Sequence, residues 1–364
     1  NRDAWVQDDA LFGGQRIRNR EYVTETRGFI SELAAKSIRP EDIDEPFTAA
    51  DHKAIIEYLR QFGRLDLELK ASRSKRTTST SFENPAALQD LVHSKILSGM
   101  AYGESEDQSA VMLTPVGGMD RIPAAFAKRL GDAIRLNTRV DAIRLTDAGV
   151  DVDCVTRRGR ETLSADFCLN SIPMQLLAGI EHNFPADYAR GLAAVPRGKY
   201  FKLAFQAKER FWEREKIYGG ISWTMQDISQ IWYPSHGIHK RKGVILGAYT
   251  FDGASGDMFA RLSPQERLAL AIRQGEKLHP SYGSYVEHGV SVCWHRMNHM
   301  LGCAAAWSGP LRTQWFKTLR EPAGHHYLLG DQISELPSWQ EGAVRSAFFA
   351  LADIDRRVRE SAVA

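Results

Sequence analysis

A handful of residues have the types and neighbours that chemistry needs. Lys202 stands in Tyr200-Phe201-Lys202-Leu203-Ala204-Phe205, an ammonium set into an apolar strand pattern. Such a charge either snorkels at a sheet edge or is held for electrostatic work on a reacting group. Asp331 follows Gly330, directly after the apolar run His326–Leu329. The small residue lets backbone approach a ligand, and the acid after it accepts hydrogen bonds from hydroxyls. Ser338-Trp339-Gln340-Glu341 then leads into a helical pattern ending near Arg359. The start of such a helix offers free N–H groups to an electron-rich acceptor, the plain alternative being an ordinary capped terminal helix. Tyr233 precedes Pro234; by itself it reads as an interface aromatic with its hydroxyl in water. Trp294 and Trp339, by themselves, read as core residues.

Metal and nucleophile chemistry find less support. His295 and His299 have an i,i+4 spacing, but Val292-Cys293-Trp294 and nearby glycines point to strand and loop, and no Glu lies between the histidines. No metal site is expected. The four cysteines, at 154, 168, 293 and 303, show neither metal spacing nor a disulfide framework, so Cys154 and Cys168 read as small buried hydrophobes. G-x-G-x-x-G, the Walker A loop, G-x-S-x-G and H-E-x-x-H are all missing from the sequence.

The elements that must position these residues follow from pattern. With 364 residues, 43% hydrophobic and 25% charged, the chain is an ordinary globular one, and its length suggests about two domains. A net charge of +2 gives no reason to expect nucleic acid, and no apolar run approaches the ~18–20 residues of a membrane span. Residues 1–110 read as helical: Thr48-Ala49-Ala50-Asp51 resembles a capping box before Ile55, Ile56, Leu59 and Phe62, with Gly63 as the stop. Pro85 opens a second helix through Leu88, Leu91, Val92, Ile96 and Leu97, and 71–80 reads as a solvated loop. After a turn at Gly117-Gly118 and a helix over 121–130, strands are expected at 138–145, 150–155 and 165–172. Further strands fall at 201–205, 230–233, 244–249, 290–294 and 326–329, with a helix over 263–278. The sum is α+β with mixed sheets.

Separated segments then carry a resemblance. Gly117-Gly118-Met119-Asp120-Arg121-Ile122-Pro123, Asn137-Thr138-Arg139-Val140-Asp141-Ala142-Ile143 with Ala165–Pro173, Lys202 ahead of Phe211-Trp212-Glu213, and Tyr327-Leu328-Leu329-Gly330-Asp331 with Ser338–Ala343 occur in that order. Together they resemble the flavin-dependent amine oxidase and L-amino acid oxidase family. Gly219-Gly220, Ile231-Trp232-Tyr233-Pro234-Ser235 and Leu246-Gly247-Ala248-Tyr249 are similar to the substrate strands of its L-amino acid oxidase branch.

The resemblance implies an α+β / α/β, two-domain flavin amine oxidase-like architecture: a GR2-type FAD-binding domain plus a mixed-sheet substrate domain with a helical segment. It places a helical segment of the substrate side at 1–110, the FAD-binding domain at 111–195 and 306–364, and the substrate-binding mixed sheet at 196–305. It implies FAD as cofactor, held by Gly118, Met119, Val140, Trp294, Gly330, Asp331, Gln340 and Glu341. Lys202 becomes the catalytic residue, a buried ammonium holding a water near flavin N5; Tyr233 donates to the substrate carboxylate, and Trp339 and Ser338 face substrate. Ser338 departs from the family's usual glycine at that position, and Leu329-Gly330 replaces its Ala-Gly. The implied reaction is oxidative deamination of an L-amino acid by O₂ to the 2-oxo acid, ammonia and H₂O₂. Alternatives are an amine or polyamine oxidase, an L-amino acid 2-monooxygenase, or a non-catalytic subunit completing another chain's site. The family's N-terminal βαβ unit has no counterpart here, so a second chain or fragment carrying it is expected as partner, in a homo- or hetero-oligomer, with proteolytic processing one source. The compartment, cytoplasmic or secreted after processing, is left open.

Overall fold

The computed structural model describes residues 4–71, 87–94 and 113–363. Its strands, in chain order, are β1 (Trp5–Gln7), β2 (Arg16–Arg18), β3 (Arg139–Leu145), β4 (Val150–Thr156), β5 (Gly159–Ala165), β6 (Cys168–Asn170), β7 (Glu181–His182), β8 (Phe201–Ala207), β9 (Ile221–Thr224), β10 (Gln230–Trp232), β11 (Gly243–Thr250), β12 (Val286–Cys293) and β13 (His326–Leu328). The described residues divide into two compact units. One draws on Asn1–Gln108, Phe201–Thr250 and Arg261–Val292, the other on Ser109–Tyr200, Phe251–Ala260 and Cys293–Ala364.

The first unit is built on a seven-stranded mixed sheet, ordered β12-β8-β11-β10-β9-β1-β2. Strand β8 shows why it forms: Phe201, Leu203, Phe205 and Ala207 are buried while Lys202, Ala204 and Gln206 alternate to the other face. Full burial of a large apolar side chain contributes roughly 1.5–3 kcal/mol, which makes this register hard to slip. Helix Asn19–Ser37 packs beside helix Ala49–Gly63, and Thr48 caps the latter by accepting from the Asp51 N–H at 3.2 Å. The helical reading of residues 1–110 needs correction at β1 and β2. These three-residue strands have no local periodicity to betray them; β1 gains its partner from β9, more than 200 residues away, pairing Val6 with Trp223. Helix Leu88–His93 is present, whereas Ile96 and Leu97 lie outside the described residues. Ala71 is buried rather than solvated, its N–H donating to Glu32 at 2.7 Å, and 72–80 lie outside the described residues.

The second unit holds a four-stranded sheet, β5-β4-β3-β7, and a parallel pair, β13-β6. The single strand expected over 165–172 is two: β5 ends at Ala165 in the first sheet, and β6 begins at Cys168 beside β13. Two residues between them redirect the chain, which no alternation pattern marks. The core gathers Ile143, Met174, Leu177, Leu192, Leu319 and Leu328 around the helices Ala186–Ala194 and Gly309–Arg320. Helix Gln340–Val363 closes the chain, and Gly342 lets it approach the preceding loop: a Cβ there would meet the Leu336 carbonyl oxygen at 2.1 Å. Among the described residues no helix is long and apolar enough to cross a membrane.

Candidate active site

In the first unit, cross-strand register decides which side chains share a face. Lys202 on β8 pairs with Tyr249 on β11, and its Nζ lies 4.2 Å from the Tyr249 ring centroid. Trp232 on β10 pairs with Leu246, and its ring centroid is 5.7 Å from that of Tyr249. Lys202, Tyr249 and Trp232 therefore line one face of the sheet. The Trp232 indole N–H is fixed by donating to Gln230 Oε1 at 2.6 Å.

Tyr249 reaches this face through an irregularity. The β8–β11 register shifts between Leu246 and Ala248, so Leu246 and Tyr249 fall on the same side although three residues apart. Gly247 sits at the shift, where a Cβ would meet the Tyr282 hydroxyl at 2.7 Å and the Phe205 ring at 2.8 Å.

Tyr233, expected to meet a substrate carboxylate, is turned to the opposite face, because successive strand residues alternate. It is 1% exposed, with its hydroxyl 2.6 Å from Ser222 Oγ and 2.5 Å from His279 Nε2. His279 Nδ1 is 2.9 Å from Glu215 Oε1, and the Trp5 N–H donates to Ser222 Oγ at 2.8 Å. One set of directions satisfies every group: Trp5 N–H to Ser222, Ser222 O–H to Tyr233, Tyr233 O–H to His279 Nε2, His279 Nδ1–H to Glu215. Burial raises the Tyr233 hydroxyl pKa well above the ordinary value. Burial also lowers His279, so its imidazole is neutral as this chain requires. For Glu215, burial pushes upward, but the hydrogen bond and charge of His279, the Trp5 hydrogen bond and the Arg16 charge outweigh it and hold the carboxyl at about 2. Tyr233 has no donor left for a substrate, which corrects its assignment as the carboxylate-binding residue.

In the second unit, Gly330 follows β13 with φ +104° and donates its N–H to Ser346 Oγ at 2.9 Å. The Asp331 carboxylate accepts the Ser338 N–H at 2.8 Å, tying the strand end to the loop before helix Gln340–Val363. Ser338 has φ +71°, a conformation that favours glycine. Trp339 is half-buried, while Gln340 and Glu341 are exposed in the first turn, Glu341 pairing with Arg345 at 2.8 Å. Gly118 has φ +120° in the turn before helix Arg121–Leu130, and Met119 is exposed beside it. Val140 lies at a register shift in β3 and borders a cavity of about 1020 Å³ with Ile172, Pro173 and Gln175. The Trp294 backbone N–H donates to Tyr200 O at 3.1 Å, while its indole N–H is buried and has no hydrogen-bond partner among the described residues. No group of three His, Cys, Asp or Glu gathers among the described residues.

Comparison with known proteins connects these features. The model of the flavin containing amine oxidoreductases matches residues 51–354. The chain belongs to this family. It is 28% identical over 265 residues to a flavin-dependent L-tryptophan oxidase of Lentzea aerocolonigenes, covering 69% of this chain and 54% of the relative. An L-amino-acid oxidase of Siganus canaliculatus is 28% identical over 269 residues, covering 72% and 51%. The chain thus spans about half the length of the curated relatives it matches. The flavin amine oxidase fold is shared with a putrescine oxidase bound to putrescine (TM-score 0.65, 18% identity, 97% of this chain and 81% of that one). It is shared too with cyclohexylamine oxidase from Brevibacterium oxydans (TM-score 0.58, 20% identity, 67% and 53%).

The cofactor of this member of the family is FAD. The second unit's residues fit such a group: Trp294 has an unpartnered buried indole N–H, and the Val140 cavity has the size of a small-molecule site. Gly330 keeps side-chain bulk away from the end of β13. Tyr249 and Trp232 were not singled out as site residues on sequence. Alternation counted from Lys202 and Leu246 finds Trp232, but the shift at Gly247 hides Tyr249.

Proposed function

We propose that this chain is the larger part of a FAD-dependent L-amino acid oxidase. Overall, an L-amino acid, O₂ and water become the 2-oxo acid, ammonia and H₂O₂. The shared face of Lys202, Tyr249 and Trp232 carries this reading, supported by L-tryptophan and L-amino-acid oxidases among the relatives. FAD supplies the two-electron acceptor for oxidation of the Cα–N bond. Tyr249 takes the role first given to Tyr233: its hydroxyl donates to the substrate carboxylate and orients Cα. Trp232 walls the substrate and excludes water. The Lys202 ammonium holds a water for attack on the imine and places positive charge where oxygen gains electrons. Asp331, Gly330 and the start of helix Gln340–Val363, with Gly118, Met119, Val140, Trp294 and Glu341, hold the cofactor, and Trp339 and Ser338 flank the substrate. The glycine fingerprint these 364 residues lack is supplied by a βαβ unit from outside them.

The test is a peroxide and ammonia assay across the L-amino acids, with that βαβ unit co-expressed and FAD added. Peroxide with equal ammonia and 2-oxo acid is expected. An amide product, or turnover only of amines lacking a carboxylate, overturns the reading.

A further inference from the structure

A second cavity in the second unit, of about 410 Å³, is lined by Gln175, Arg197, Lys199, Asp257, His295 and Arg296. Its charges do not balance. Three cations meet one carboxylate, +3 − 1, and that carboxylate is already engaged: Asp257 lies 2.6 Å from Lys199 Nζ and 3.5 Å from His295 Nε2. Arg197 is held by neutral groups, donating through Nη2 to the carbonyls of Gly302 (3.1 Å) and Cys303 (3.2 Å). These bonds aim the guanidinium without neutralising it. Its Nε is buried and has no hydrogen-bond partner among the described residues. Burial holds the Arg197 pKa below its ordinary value and outweighs the opposing charge of the Asp331 carboxylate.

Gln175, which borders this cavity and the Val140 cavity alike, adds a second sign. Both polar atoms of its side-chain amide are buried and without a partner among the described residues. Native structures pair such groups, and a neutral donor beside surplus cations is the usual composition of an oxyanion site. We propose that this cavity binds a phosphate-type oxyanion, with Arg197 and Arg296 supplying charge and Gln175 a directing N–H. Its volume, within the range of small-molecule sites, admits a diphosphate or a phosphate ester as well as the free ion. The site stands apart from the oxidase reading, and neither falls with the other.

Titration calorimetry of the full chain with inorganic phosphate and pyrophosphate tests it. Saturable binding is expected, weakening with salt and by about tenfold in Arg296→Gln and in Gln175→Leu. Arg296 is exposed, so Arg296→Gln retains the fold, which a thermal melt without ligand verifies. Repeating the titration with FAD present separates the sources. Loss of phosphate binding with FAD present identifies the cavity as part of the cofactor's own site and overturns a separate oxyanion site, and undiminished binding upholds it. Absence of saturable binding in the wild type overturns it, as does unchanged affinity in both variants.

Discussion

Lys202 and Tyr249 are cross-strand partners on one sheet face, with the ammonium 4.2 Å from the ring centroid, whereas Tyr233 lies on the other face of that sheet. The two tyrosines therefore differ in kind, one at the proposed substrate surface and one inside a closed hydrogen-bond chain.

Removing each hydroxyl separates them. Tyr249→Phe is expected to raise KM for carboxylate-bearing substrates about tenfold or more, with little change in Tm. Tyr233→Phe leaves His279 Nε2 without its donor in a buried setting and is expected to destabilise by about 1–3 kcal/mol. Steady-state kinetics beside thermal melts of both variants decide the matter. A KM effect confined to Tyr233→Phe reverses the proposed assignment.

Lys202→Met keeps much of the stem's packing and removes the charge. Stopped-flow spectroscopy is expected to show oxygen-dependent reoxidation slowed by about 10²-fold or more, with reduction by substrate affected less. Equal slowing of both half-reactions would count against an oxygen-directed role.

The Glu215–His279 pair makes stability acid-sensitive. Both groups have folded pKa values below their ordinary ones, 4.5 for Glu215 and 6.5 for His279. Each then contributes stability that is present above its unfolded value and lost as pH falls toward the folded one. Tm is expected to decline from about pH 6.5 downward and to keep falling toward about 2, where Glu215 protonates. Glu215→Gln flattens the portion below the ordinary carboxylate value. A profile identical to wild type there would remove Glu215 from the account.

Backbone conformation at Ser338 yields an opposite sign. With φ +71°, this residue occupies a conformation that costs a non-glycine residue about 1–2 kcal/mol, partly offset by glycine's larger unfolded-state entropy. Ser338→Gly is expected to stabilise by up to about 1 kcal/mol, read as a rise in Tm. Gly342→Ala works the other way, since its Cβ would sit 2.1 Å from the Leu336 carbonyl oxygen, and a loss of about 1–3 kcal/mol is expected.

Sequence alone determined what is written locally. The Thr48–Asp51 cap, the alternation of β8 that sets Lys202 apart from its buried neighbours, and the ordered segments that resemble the flavin oxidases rest on residues close together in the chain. The position of Ser338 where the family has glycine was visible as well; its cost appeared only with the backbone φ of +71°. Tertiary structure decided what depends on partners. β1 became a strand because β9 accepts it and β2 because it pairs with β1, and 165–172 divided because β13 recruits β6. Most consequential is the register shift at Gly247. One extra residue in β11 moves Tyr249 onto the face of Lys202, and alternation along β10 sends Tyr233 into the core. A period-2 pattern specifies a face only until a bulge interrupts it, and that interruption is set by packing against Phe205 and Tyr282, residues distant in sequence.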